Sequence, residues 1–355
     1  MRVRMLLGWM LAGALPAAQA EILIGGFPSW EQTTHPLSVF ASDATGSAAP
    51  LRRLEGPATQ LMTPAFGVYE PGEDVIYVSD FYGEAVRVYP ARAGGDVAPL
   101  RVLDPPSLAQ TRASAPVPAH GELVVISTNC CIYTYPLDGD GADVEPLRRI
   151  NWGGVSGSLT QLANPFALTY LPASDEVAVL DYDGDGTTKV VFHARTANGF
   201  VAPTRVLKSA YTDRARGMAH DPAAGTLMVL VEETVGEDRR ALIRIFDAAA
   251  AGTDAPLRTI AGPATQLSMP SSTSYYPTGL GYDADRDRLM VAISSNGDPA
   301  ANRLLVFDAA ADGDVAPLQV LAGETLGPGT LGTPFAVPDI REPDDILLRD
   351  GFDGP

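Results

Sequence analysis

Between Val179 and Thr188 the chain reads Leu-Asp-Tyr-Asp-Gly-Asp-Gly-Thr, with Asp181, Asp183 and Asp185 at alternate positions. Alternating carboxylates on a turning backbone can converge on a hard cation, and Asp-x-Asp-x-Asp-Gly is the front half of a calcium loop. Counted from Asp181 the twelfth position is Phe192, where such a loop would carry a bidentate glutamate. Two readings follow. One is a hairpin turn built from Asp and Gly; the other is a weak site for Ca2+ or another divalent cation on Asp181, Asp183 and Asp185.

The only cysteines, Cys130 and Cys131, are adjacent in STNCCIYTY. Neighbouring Cα atoms sit about 3.8 Å apart, closer than the roughly 4.4–6.8 Å of an ordinary disulfide, so a vicinal bridge needs a tight turn. A vicinal disulfide, two free thiols and an intermolecular bridge all stay open. Other catalytic constellations fail. His35, His120, His193 and His220 have no paired spacing, and Gly153-Gly-Val-Ser-Gly misses a nucleophile elbow by one position. No Walker loop, Rossmann fingerprint or haem attachment motif occurs.

With 25 basic against 43 acidic residues and a net charge of −18, the chain repels nucleic acid and anionic lipid, whose phosphates require clustered Lys and Arg. Its start has the layout of a secretory signal peptide: Arg2 and Arg4, a short apolar run, then Ala18-Gln19-Ala20 before Glu21. No later apolar run is long enough to span a bilayer as a helix. Residues 1–20 are therefore expected to be removed, leaving an exported, periplasmic or extracellular, monomeric protein.

The elements that must position these residues are legible as a repeat. Six times a strand-like pair ends in an aromatic: Val39-Phe40, Val88-Tyr89, Thr134-Tyr135, Val191-Phe192, Ile245-Phe246 and Val306-Phe307. Each precedes a Gly-containing turn and a proline: Pro50, Pro99, Pro146, Pro203, Pro256 and Pro317. Four of those prolines open Pro-Leu-Arg, and the hexapeptide GPATQL stands at both 56–61 and 262–267. A period of about 50 residues made of short strands, with no helical periodicity, predicts propeller blades. Near-continuous apolar runs such as DVIYVS (74–79) and ELVVIS (122–127) predict strands buried on both faces. The residues before Pro50 and after Pro317 make one further unit, with PFAVPDI (334–340) as its first strand, EILIGG (21–26) as its second and PLSVF (36–40) as its third. The expectation is an all-β, six-bladed propeller of four-stranded antiparallel blades over 21–340, closed by both chain ends in one blade.

The TQL-type loop, the Pro-x-Gly/Ala strand start, the apolar strand and the Gly-x-x-Ala-Pro-Leu-Arg turn together resemble the NHL-type propeller repeats of exported bacterial proteins. The resemblance implies a fold and little chemistry, since its members include binding modules, lyases and lactonases. On the ligand face it implies, the second strands end near Asp80, Asn129, Asp181, Glu232, Glu233 and Asn296. Gluconolactonase-like propellers hold a divalent metal with Glu, Asn and Asp, but no position here matches that motif. The chain thus reads as a binding module for a protein, peptide, glycan or envelope partner rather than an enzyme. A metal-dependent hydrolase or lactonase with an acidic axial funnel and a structural surface or assembly component are the alternatives. GPATQL reads as a structural turn, with a ligand role for Thr59, Thr160 or Thr265 the other choice. The tail 341–355 reads as a disordered end or a sorting signal.

Overall fold

The structure, a computed structural model, describes residues 20–28, 34–151, 158–183, 186–235, 238–269, 275–295 and 298–339. Residues 1–19 of the proposed signal segment and the tail 341–355 lie outside them. Six antiparallel sheets follow one another along the chain, each running outward from an innermost first strand. In the second blade these strands are Pro64–Glu70, Val75–Asp80, Ala85–Pro90 and Arg101–Leu103. The first blade combines both chain ends: Phe335–Val337 is innermost, followed by Glu21–Ile24, Leu37–Ala41 and Arg52–Leu54. Glu21 pairs with Val337 and Leu23 with Phe335, so the two chain ends share the closing sheet as the sequence predicts.

The second strands are sealed on both faces: every residue of Val75–Asp80 and of Glu122–Ser127 is buried. The reason is that apolar side chains of each blade interdigitate with those of the next. Six core clusters lie between successive blades, and the one joining sixth to first brings Ile22, Ile24 and Phe40 against Met290, Leu304 and Val306. Phe40, Phe192, Phe246 and Phe307 are fully buried, each stabilising the ring by roughly 1.5–3 kcal/mol.

A second circle of contacts explains the repeat motif. The turn glycines Gly46, Gly95, Gly141, Gly199, Gly252 and Gly313 all have positive φ, and each bridges in parallel to the outermost strand of the preceding blade. For Gly46 that partner is Leu321 of the sixth blade, so this circle closes too. Two of the Pro-Leu-Arg arginines bind carbonyls of the following blade: Arg52 Nε donates to Ala93 O at 2.9 Å, and Arg258 Nε to Ala311 O at 3.2 Å. Arg52 also pairs with Glu21, which a second arginine, Arg92, meets at 2.8 Å.

GPATQL is the outer hinge of this scheme. Pro57–Thr59 and Pro263–Thr265 form single 3-10 turns, with Gly56 at φ 122° and Gly262 at φ 134°. Thr59 and Thr265 are fully buried, their hydroxyls bonded to Gly56 O and Gly262 O at 2.6 Å. The two copies hold the same turn; Leu61 plugs the junction of the first and second blades, and Leu267 that of the fifth and sixth.

Two departures from six plain blades matter for the ligand face. The predicted strand 21–26 breaks after Ile24, and Gly26–Phe27 instead pairs with Thr330–Leu331. The middle strands of the fifth blade, Thr226–Val235 and Asp238–Asp247, run ten residues each, and Ser268–Met269 adds to their far end. That hairpin outgrows its equivalents because its pairing continues through Glu233–Arg240 and Thr234–Arg239.

Candidate functional site: the channel mouth

Five innermost strands carry a register shift near their start, opposite the end of the second strand. A bulge re-aims a side chain, and here it aims one per blade toward the ring axis. Ala65, Arg112, Phe166, Arg216 and Thr278, joined by Gly332 and Thr333 of the closing blade, line an axial hollow of about 340 Å3 with Phe27, Phe66, Phe81 and Tyr82. Through Arg112, Phe166 and Arg216 it adjoins a second hollow of about 500 Å3, over the fourth and fifth blades. Asn164, Tyr182, Thr188, Arg214, Glu232 and Arg239 complete that second wall.

The electrostatics of this cleft run opposite to the acidic funnel of the hydrolase alternative. Among the described residues that line the cleft, four arginines face one carboxylate, Glu232. Arg216 and Arg239 approach Glu232 at 3.0 and 3.7 Å, and Arg214 donates to Thr234 Oγ1 at 2.7 Å. Among the described residues Arg112 makes no hydrogen bond or ion pair; its guanidinium lies 5.7 Å from the Phe81 ring centroid and its Nε is sealed from solvent. Burial lowers its affinity for the proton. The physical reason for the reversal is position: the second-strand carboxylates turn into the sheet, and the bulge residues furnish the channel.

Asp80 shows this most clearly. It is fully buried, where the sequence suggested a ligand-face position. Its carboxylate accepts from Met62 N at 2.9 Å, Thr63 N at 2.6 Å and Arg87 at 2.6 Å, fastening the incoming inter-blade loop. Asp181 does the same one blade-pair later, accepting from Ala163 N and Asn164 N at 2.9 and 2.8 Å. Desolvation raises its pKa to about 6. Asp183 is ion-paired to both lysines of the chain, Lys189 and Lys208, whose ammonium groups hold it below the usual carboxylate range against the opposing effect of burial. Asp181 and Asp183 thus face protein donors, and Asp185 lies outside the described residues. No group of three His, Cys, Asp or Glu side chains converges to hold a metal among the described residues.

Of the remaining candidates, Glu232 alone enters the cleft. Glu233 pairs with Arg244 on the hairpin, and Asn129 caps its own turn, accepting from Ser127 Oγ at 2.8 Å. Asn296 lies outside the described residues. Cys130 and Cys131 are bonded to each other at the turn between the second and third strands of the third blade, with Cys130 Sγ 3.1 Å from Tyr133 OH. Sequence reading missed Arg112, Phe166, Arg214, Arg216 and Arg239. A partial signal existed: in Pro165-Phe166-Ala167 and Pro277-Thr278-Gly279 the middle residue of the strand start is the bulge position, whereas Thr111-Arg112-Ala113 and Ala215-Arg216-Gly217 lack the proline that marks it. Only the pairing register shows where that middle residue points.

No protein-family model and no curated protein sequence matches the chain. Among solved structures it is similar to a chain of a nidogen/laminin complex, with TM-score 0.56 and 13% identity over 89% of this chain and 98% of that one. It is also similar, at TM-score 0.45 and 14% identity, to a hydrazine synthase chain from Kuenenia stuttgartiensis, covering 69% of this chain and 62% of that one. The second likeness is too low to carry weight, and the first shows the fold alone. The chain is a six-bladed β-propeller closed by both of its ends.

Proposed function

We propose that this propeller, of NHL type and exported, is an interaction module whose channel-mouth face recognises a protein partner. The observation that carries this reading is the arginine-lined cleft at the ring axis, walled by the overgrown hairpin of the fifth blade, in a chain of net charge −18. A hollow with convergent polar groups and aromatic walls is the usual form of a recognition site. The similar solved chain comes from a protein–protein complex, which supports a protein as the kind of partner. No helix among the described residues is long and apolar enough to cross a membrane.

The test is site-specific photo-crosslinking in the producing cells. A crosslinker at Tyr182, on the cleft wall, is expected to trap a discrete adduct, and one at Phe200, on an exposed turn at the opposite end of the same blade, is expected to trap none. Adducts from Phe200 alone, or from neither position, refute the reading. A hydrolytic activity abolished by chelation would instead restore the lactonase alternative.

A further inference from the structure

We propose that the axial cleft is a receptor for an acidic side chain of the partner polypeptide, an Asp or Glu that stands beside an aromatic or branched apolar residue. This rests on the reading of the channel mouth as the recognition face.

The chemistry is set by which charges in the cleft are already answered. Glu232 neutralises part of Arg216 and Arg239, and Arg214 is tied to Thr234 Oγ1. Arg112 stands without a counter-ion at the junction of the two hollows, its Nε shielded from water. A half-buried guanidinium whose Nε is sealed and unpaired lacks a counter-ion, and a carboxylate supplied from outside provides one, in bidentate geometry if the fork is free. Among the described lining residues, four arginines against one glutamate also leave the cleft locally positive within an acidic protein. Such a field steers an anionic group to this face and away from the rest of the surface.

The surroundings of Arg112 specify what must accompany the carboxylate. On one side lies the axial hollow, walled by Phe27, Phe66, Phe81 and Phe166, with edge-on ring contacts between Phe27 and Phe81 at 5.4 Å. It accepts an apolar neighbour. On the other side the larger hollow, lined by Asn164, Thr188 and the arginines, leads toward the fifth-blade hairpin and accommodates polar backbone. A carboxylate with chain continuing on both sides fills this layout, so an internal acidic residue suits it better than a chain terminus.

Two isosteric probes test the acid requirement: acetyl-Asp-Phe-amide and acetyl-Asn-Phe-amide, titrated into the full chain and followed by ligand-observed NMR. The acid is expected to bind about tenfold or more tightly than the amide, with the difference shrinking as salt rises. Arg112→Met keeps the stem and removes the charge, and is expected to bring the acid down to the level of the amide. Its melting temperature should stay equal or rise, since a half-buried charge without a counter-ion is lost. Phe166→Ala should weaken both probes alike. Equal affinity for acid and amide, no binding of either, an unaltered acid preference in Arg112→Met, or tighter binding of acetyl-phenylalanine through its terminal carboxylate overturns the proposal. Crosslinks at Tyr182 without any acid preference would retire this inference and keep the recognition face. Acid preference without crosslinks would do the reverse.

Discussion

Replacing Asp80 by alanine separates the two roles its position allows, loop fastener or ligand contact. In the structure its carboxylate receives two backbone N–H groups of the inter-blade loop and the guanidinium of Arg87, a side chain that is itself buried. Removing the carboxylate leaves Arg87 charged, out of water and unpaired, and removing one partner of a buried ion pair costs about 3–5 kcal/mol. An exposed loop-end residue would cost within about 0.5 kcal/mol. The assay is urea unfolding: the midpoint should fall by about 1 M or more with unchanged slope. Asp80→Asn, which keeps an acceptor for Thr63 N, should lose less. The double variant Asp80→Ala, Arg87→Met should recover much of the loss, because no lone charge remains buried. A loss below about 0.5 kcal/mol in the single variant, or a double variant at the sum of the singles, would refute the fastening role.

Acid should loosen the ring. Burial lowers the pKa of both His35 and His193 to about 4, from an ordinary value of 6.5. Both histidines are neutral above pH 6.5, and their contribution is lost as pH falls toward 4, by about 3 kcal/mol each, because only the unfolded chain takes up the protons there. Asp181 acts oppositely: with its pKa raised to about 6, the stability it lends in acid is lost as pH rises through 6, by about 3 kcal/mol. Unfolding measured from pH 7 to 4 should therefore show a net loss, and His193→Gln should flatten it; an unchanged profile counts against the assignment. Gly56→Ala and Gly262→Ala should each cost about 1–3 kcal/mol. Their added Cβ atoms would meet Asp96 Cγ and Asp314 Cγ at 2.4 and 2.3 Å, so thermal melts of the two variants should fall together, and unequal drops would contradict the equivalence of the two copies. Intact-mass measurement of the unreduced protein should show no alkylatable thiol, with two appearing after reduction of the Cys130–Cys131 bond; alkylation before reduction contradicts it.

The copied motifs made the architecture legible before any coordinates. The aromatic-to-proline spacing counts the blades, and EILI and PFAV complete a unit only if they share a sheet, as the Glu21–Val337 pairing does. Period and burial pattern are local properties, written residue by residue, and so a single sequence determines them. The site was not legible in that way. Asp80 and Asp181 stand where acidic residues in a turn would be expected to meet solvent, yet loop backbone amides reach them from the preceding inter-blade segment and draw them inward. Arg112 and Arg216 belong to different blades and share a wall only because a bulge in each strand turns one side chain toward a common axis. The sequence by itself determined the repeat, its closure and the acidic balance of the whole; the tertiary structure decided the sign of charge at the channel mouth. Charge summed along a chain carries no direction, and direction is what the pairing register supplies.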